Sequence, residues 1–156
     1  MAAFESAPRV SPFLWFNNNA EEAVDFYLTV FKNSRRVGEL LNDGNGPGPK
    51  GSILTVAFDL DGQRFTALNG GPMYKINEAI SFVVRCDNQE EVDYYWERLT
   101  TGGTEIRCGW LKDKFGVTWQ IVPSKLAELI KNPNAMKAMM SMKKFNIAEL
   151  ERAAAE

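Results

Sequence analysis

The chain has 156 residues and a mass of 17.5 kDa, with 45% hydrophobic and 24% charged residues. These values match an average globular domain, so they argue against disorder, collagen-like repeats and a fibrous coiled coil. With 18 basic and 20 acidic residues the net charge is -2, and a chain without a broad positive field is not expected to bind nucleic acid. The sequence contains no histidine, which removes the commonest metal ligand and the usual general base at neutral pH.

The cysteine content and the N-terminus indicate the compartment. Cys86 and Cys108 are too few for a disulfide framework, and no basic stretch followed by an apolar segment marks a secretory signal. No apolar run approaches the roughly 20 residues of a membrane span. We therefore expect a cytoplasmic protein that is neither exported nor inserted into a membrane.

The first half of the sequence predicts four strands and one helix. Short aromatic and β-branched runs predict the strands, and apolar residues at helical spacing predict the helix. Asn17 to Asn19 predict the turn that opens the helix, and the glycine- and proline-rich residues 43–49 predict an exposed loop. Asp61-Gly62 predicts a tight hairpin. The expected elements are strands over 11–16, 37–41, 53–60 and 63–69, and a helix over 20–31.

The second half repeats this order of elements. Val92-Asp93-Tyr94-Tyr95 corresponds to Val24-Asp25-Phe26-Tyr27 in the helix, and Gly116 corresponds to Gly62 in the hairpin. The shared order and these correspondences predict a duplicated βαβββ unit. The expected elements are a strand over 79–85, a helix over 88–99, and strands over 106–111 and 117–122 that form a closing hairpin.

The residues after Pro123 predict short helices over 126–130, 135–142 and 147–155. The second is rich in methionine, and we expect this flexible apolar surface to pack on the same chain or on a second copy, with a ligand surface as the alternative. The sequence thus predicts a domain over 1–123, with halves at about 10–72 and 78–123, and a C-terminal helical extension over 124–156.

Several segments resemble one protein family. They are Trp15-Phe16, Ala20 to Ala23, Phe26-Tyr27, Phe65 to Pro72, Asn77 to Phe82 and, most specifically, Cys108 to Gln120. Together they resemble the PhnB-like branch of the vicinal oxygen chelate superfamily, the glyoxalase and extradiol dioxygenase fold, many members of which are described as 3-demethylubiquinone-9 3-methyltransferases. The resemblance implies an α+β fold in which two βαβββ units form an open, eight-stranded cup. It also implies a homodimer.

The resemblance further implies positions for metal ligands in the cup. Carried over to this sequence, they fall on Pro12, near Thr66, on Ala79 or Ile80, and on Gln120. None of these side chains is a carboxylate or an imidazole, so a divalent cation would lack the partners it requires. We therefore expect no metal and no other cofactor. A shift of the fifth strand would bring Glu78 into the pocket, and the sequence leaves that alternative open.

Alternation along the strands predicts a mostly apolar pocket that carries a few hydroxyl and amide groups. Pockets of this makeup hold small, largely apolar molecules oriented by a few hydrogen bonds. The alternative is that the same side chains fill a closed core. The predicted pocket residues are Leu14, Phe16, Thr66, Leu68, Ser81, Cys108, Trp110, Thr118 and Gln120.

No catalytic residue can be assigned from the sequence. Cys108 has no histidine to activate its thiol and is expected to be a small apolar residue, and Asp113 and Lys114 are expected to stabilise a turn. An adenosyl cofactor requires a glycine-rich loop between a strand and a helix, and we expect no such G-x-G-x-x-G run in this sequence. We predict a metal-free binding protein. The alternatives are a metal-dependent lyase, dioxygenase or transferase that uses Glu78 and Gln120, and a non-catalytic structural or interaction module.

Overall fold

The computed structural model describes residues 2–156, and its side chains from residue 4 onward. The chain divides into two compact units, the first ending at Ile76 and the second running from Asn77 to Glu156. The boundary lies in the segment between the two predicted halves. Each unit contains a four-stranded sheet and a helix that packs on one face of it.

The first unit is built around a mixed sheet with the strand order β1-β4-β3-β2. Strand β1 runs parallel to β4, and the other neighbouring strands are antiparallel. A short N-terminal helix, α1, was not expected from the sequence. The elements are α1 (Ala2–Glu5), β1 (Phe13–Phe16), α2 (Ala20–Val30), β2 (Ser34–Leu41), β3 (Ile53–Leu60) and β4 (Gln63–Asn69).

An aromatic stack fixes α2 on this sheet. Tyr27 of α2 stacks on Phe58 of β3, and Phe58 stacks on Phe65 of β4, with ring centroids 6.3 Å and 5.4 Å apart. Among the apolar residues whose helical spacing predicts α2, Phe26 is half-buried and the others are buried: Ala23, Tyr27, Val30 and Phe31. At the start of α2, Asn19 makes no side-chain cap; the Asn69 side chain accepts a hydrogen bond from the Ala20 amide instead, at 2.9 Å.

The second unit repeats the topology, with the strand order β5-β8-β7-β6. Strand β5 runs parallel to β8, and the other pairs are antiparallel. The duplicated βαβββ unit and the α+β class are thereby confirmed. The elements are β5 (Ser81–Cys86), α3 (Gln89–Thr100), β6 (Thr104–Glu105), β7 (Trp110–Lys112), β8 (Thr118–Pro123), α4 (Leu126–Leu129), α5 (Pro133–Met140) and α6 (Ile147–Ala155).

The prediction of one strand over 106–111 was wrong. The chain makes a turn there between β6 and β7, with Cys108 at φ 54° and Gly109 at φ 81°. The amides of these two residues bind the carbonyls of Met142 and Lys143, each at 2.8 Å. Because the C-terminal segment uses these amides, they are not available to a strand ladder, and this long-range contact has no local signal in the sequence.

The C-terminal helices pack on the second unit. Phe145 and Leu150 are 1% and 0% exposed. The Gln89 side chain of α3 joins this segment twice, because it donates to the Phe145 carbonyl at 2.9 Å and accepts from the Ile147 amide at 2.8 Å. Met136 and Met140 remain exposed. Among residues 2–156, none of the helices combines the length and apolar character of a membrane span.

Candidate functional site

Each sheet has one face covered by its helix, and we call the opposite face the open face. In the second unit Trp119, Ile121 and Leu111 lie on the covered face, where they are 0–3% exposed. Neighbouring strands place the open-face side chains in three rows. The rows are Lys112, Thr118 and Ser81; Trp110, Gln120 and Val83; and Val122 and Arg85.

The middle row combines apolar surface with a neutral amide. Val83 is 61% exposed, and Trp110 and Gln120 are half-buried. The Gln120 amide donates a hydrogen bond to the Ser81 hydroxyl at 2.8 Å, so the two side chains hold each other in place. The structure thus brings together four of the predicted pocket residues on this face, Ser81, Trp110, Thr118 and Gln120, and the strand register adds Val83 beside them.

An ion pair lies at one end of the open face of the second unit. The Lys112 ammonium binds the carboxylate of Glu78, which lies just before β5. The hydrogen bond from Lys112 and its positive charge lower the pKa of Glu78 below the usual value. The sequence left open whether Glu78 enters the pocket; the structure pairs it with Lys112 at the rim, with 57% of the Glu78 side chain exposed.

Thr118 lies in the same row as this ion pair. Its side chain is 0% exposed, and its Oγ1 has no hydrogen-bond partner among the described residues. A buried hydroxyl without a partner is destabilising, so it is a position where a ligand or a water would gain a hydrogen bond.

The open face of the first unit carries Phe13, Trp15, Thr66 and Leu68. Trp15 donates from Nε1 to the Gly71 carbonyl at 2.9 Å and meets the Tyr74 ring edge-on, with centroids 4.9 Å apart. Sequence reasoning missed Trp15 because it assigned the alternate residues of β1 to this face. The predicted Thr66 and Leu68 do lie here, the first buried and the second half-buried.

The placement of Leu14 and Phe16 with Thr66 and Leu68 was wrong. Leu14 and Phe16 lie level with Ala67 and Asn69 of β4, on the face that α2 covers. The sequence reasoning counted the alternation from Pro12, but β1 begins at Phe13. Side chains alternate regularly between the two faces only within a strand. An alternation counted from a residue before the strand can therefore assign every residue to the wrong face.

Cys108 does not belong to a strand of the second sheet, so the strand register assigns it to neither face. It belongs to the turn between β6 and β7, and its thiol points to the Met139 carbonyl of the C-terminal segment, with a separation of 3.7 Å. The turn that replaces the expected strand leaves Cys108 outside the three rows, and its place in the pocket stays a prediction.

We expect Cys86 to resist alkylation in the folded protein. Burial, reinforced by the negative charges of Glu91 and Asp87, raises the pKa of its thiol to about 12, so the reactive thiolate is scarce near neutral pH. Mass spectrometry after iodoacetamide treatment should find Cys86 unmodified in native protein and modified after denaturation. Rapid native labelling of Cys86 in a Cys108→Ser variant would contradict this.

The segment after β2 contains the G-x-G-x-x-G spacing of a nucleotide-binding loop, at Gly46, Gly48 and Gly51. The expectation that the sequence contains no such run was wrong. The segment joins β2 to β3 rather than a strand to a helix. The buried Asn42 side chain also occupies its interior: a Cβ on Gly46 or Gly48 would lie 2.7 Å from an Asn42 side-chain atom. The loop therefore lacks the helix N-terminus and the open cradle that a phosphate group requires.

The donor set does not fit the divalent metal that the fold implies. The inherited positions carry Pro12, Thr66, Ala79 or Ile80, and Gln120. Within residues 2–156, no group of three or more histidine, cysteine, aspartate or glutamate side chains converges. Glu78, the nearby carboxylate, is paired with Lys112. A hard cation needs several anionic or carbonyl oxygens, which these positions do not supply.

Two βαβββ units with mixed four-stranded sheets define a protein of the glyoxalase, or vicinal oxygen chelate, class. The family model described as 3-demethylubiquinone-9 3-methyltransferase matches residues 8–122. The chain belongs to this PhnB-like family. No curated protein matches the chain.

Solved structures agree with this assignment. A PhnB protein from Bacillus cereus, described as a putative 3-demethylubiquinone-9 3-methyltransferase, is 32% identical, with a TM-score of 0.67 over 74% of this chain and 99% of its own. Protein PA1353 from Pseudomonas aeruginosa is 22% identical, with a TM-score of 0.62 over 75% and 98%. The fosfomycin resistance protein FosX from Mesorhizobium loti is 15% identical, with a TM-score of 0.56 over 80% and 97%. The last two show the fold alone.

Proposed function

We propose that this chain binds a small, largely apolar molecule on the open face of its second sheet, without a metal ion. The observation that carries the proposal is the middle row, in which the exposed Val83 lies beside Gln120 and Trp110. An apolar surface with a few fixed polar groups is the usual composition of a small-molecule site. The Gln120–Ser81 hydrogen bond would orient the ligand.

The chemistry of the face favours binding over the methyl transfer in the family description. The polar groups of the middle row are neutral, and the glycine-spaced loop is filled by Asn42. We therefore assign no catalytic residue. A metal-dependent reaction has less support, because Glu78 is engaged by Lys112 and the inherited positions lack anionic donors.

We further propose that the protein is a cytoplasmic homodimer. Strand β2 forms one edge of the first sheet, and it exposes Leu40 and Leu41, which are 37% and 50% accessible. An exposed edge strand with apolar side chains is a common site of pairing with another copy.

The binding proposal is tested with the neutral fluorescent probe N-phenyl-1-naphthylamine. We expect wild-type protein to bind it, and Val83→Asp to weaken binding by about tenfold because a carboxylate replaces apolar contact area. Val83→Thr preserves the shape and should weaken binding by about threefold. Val10→Asp is the matched control, because Val10 is 84% exposed and lies in the first unit.

The same titration is repeated with EDTA and with added Mn²⁺, and we expect no difference. A native mass spectrum of the purified protein detects the dimer as a species of twice 17.5 kDa, and any retained ligand as additional mass. Equal binding by wild type and Val83→Asp would overturn the placement of the site, and binding only with Mn²⁺ would favour the metal-dependent alternative.

A further inference from the structure

The Lys112–Glu78 ion pair spans a strand of the second sheet. Lys112 belongs to β7 and Glu78 precedes β5, and in the strand order β8 lies between them. Thr118 of β8 is in register with Lys112 on one side and with Ser81 on the other. The ion pair therefore joins groups on the two sides of β8, at the level of the buried Thr118 hydroxyl.

The ion pair is of the kind that exchanges partners readily. The Lys112 and Glu78 side chains are 36% and 57% exposed, and solvent-exposed ion pairs contribute little to stability. If Glu78 moved into solvent, the Lys112 ammonium and the Thr118 hydroxyl would become two adjacent hydrogen-bond donors. An oxyanion would pair with both, whereas a neutral ligand would leave the charge of Lys112 without a counterion.

We propose that the ligand of this face is amphipathic and carries an anionic group, such as a carboxylate, which displaces Glu78 from Lys112 and accepts a hydrogen bond from Thr118. The inference rests on the proposed function and adds the chemical class of the ligand. The anionic group lies in the row of Lys112, Thr118 and Ser81. The apolar part lies along the neighbouring row of Trp110 and Val83, about 7 Å away.

Arg85 is a second cation on the same face. Its side chain is 73% exposed, and it lies 3.5 Å from the carboxylate of Asp87. Its row contains Val122 and no buried hydroxyl lacking a partner among the described residues. The position of Thr118 therefore assigns the anionic group to Lys112 rather than to Arg85.

The test compares decanoate with decan-1-ol, which share a chain length and differ in charge, as competitors of the bound fluorescent probe. We expect wild-type protein to prefer decanoate by about tenfold. Lys112→Met should remove that preference by weakening the binding of decanoate. Glu78→Gln removes the internal competitor and should raise decanoate affinity by about threefold. Thr118→Val should lower decanoate affinity by about threefold.

The matched controls are Lys131→Met and Glu128→Gln, because these residues form an exposed ion pair on the C-terminal side, with a separation of 2.9 Å. Both should behave as wild type. Equal affinity for decanoate and decanol in wild type would overturn the inference and leave the proposed function intact. A preference lost in Arg85→Met but kept in Lys112→Met would also overturn it. Failure of both competitors and of the probe itself to bind would instead defeat the proposed function.

Discussion

Asp113→Ala is expected to lower the free energy of unfolding by about 3–5 kcal/mol. The Asp113 side chain is 3% exposed and accepts three hydrogen bonds in the turn between β7 and β8. Its Oδ1 accepts from the amides of Phe115 and Val117 at 2.8 Å and 3.0 Å, and its Oδ2 accepts from Trp119 Nε1 at 2.9 Å. Alanine leaves these donors without their acceptor, and the buried ones cannot all reach water.

Asp113→Asn separates the contribution of the two backbone amides from that of the Trp119 side chain. Asparagine keeps an oxygen for the two amides, but it turns an NH2 group towards Trp119 Nε1, so we expect a loss of about 1–3 kcal/mol. Trp119→Phe removes that donor, and in its background Asp113→Asn should be less destabilising. Urea denaturation followed by far-UV circular dichroism measures the wild type and all four variants. A loss below about 1 kcal/mol for Asp113→Ala would contradict this role.

Gly109→Ala is expected to lower the free energy of unfolding by about 3–4 kcal/mol. Gly109 has φ 81°, and an added Cβ would lie 2.4 Å from Phe145 Cε2 and 2.9 Å from the Ile121 carbonyl oxygen. The substitution combines backbone strain with a clash against a buried ring that has little space to move, since Phe145 is 1% exposed.

Gly116→Ala is the matched control. Gly116 has a similar φ of 88°, but a Cβ there meets nothing within 4 Å, so only the strain remains and about 1 kcal/mol should be lost. The difference between the two variants measures the contacts of the added methyl group with Phe145 and the Ile121 carbonyl oxygen. Equal losses would show that this contact does not resist the added methyl group. Faster alkylation of Cys108 in Gly109→Ala alone would indicate that the C-terminal segment has loosened.

The fold was predictable where local chemistry determines it. Asp61 and Gly62 both have positive φ, at 50° and 87°, as the Asp-Gly signal for a tight hairpin requires. The turn at Cys108 and Gly109 was not predictable, because it is stabilised by carbonyls from the C-terminal segment. A strand prediction from neighbouring residues contains no information about such a partner.

The candidate site, like the fold, was predictable from the sequence only in part. Thr118 and Gln120 were placed on one face correctly, because the alternation was counted within a continuous strand. Leu14 and Phe16 were placed on the wrong face, because the count began one residue before β1. The Lys112–Glu78 pair had no signal in the sequence, since its partners meet only through the order of the strands.

The burial of Phe145 extends the core of the second unit beyond the residues that the family model matches. The family match stops at residue 122, yet Phe145 fills the space above Gly109 and is held by the side chain of Gln89. The Phe145 ring is part of the hydrophobic core of the second unit. The helices beyond the family boundary are therefore an integral part of its core, and expression boundaries drawn from homology alone would remove them.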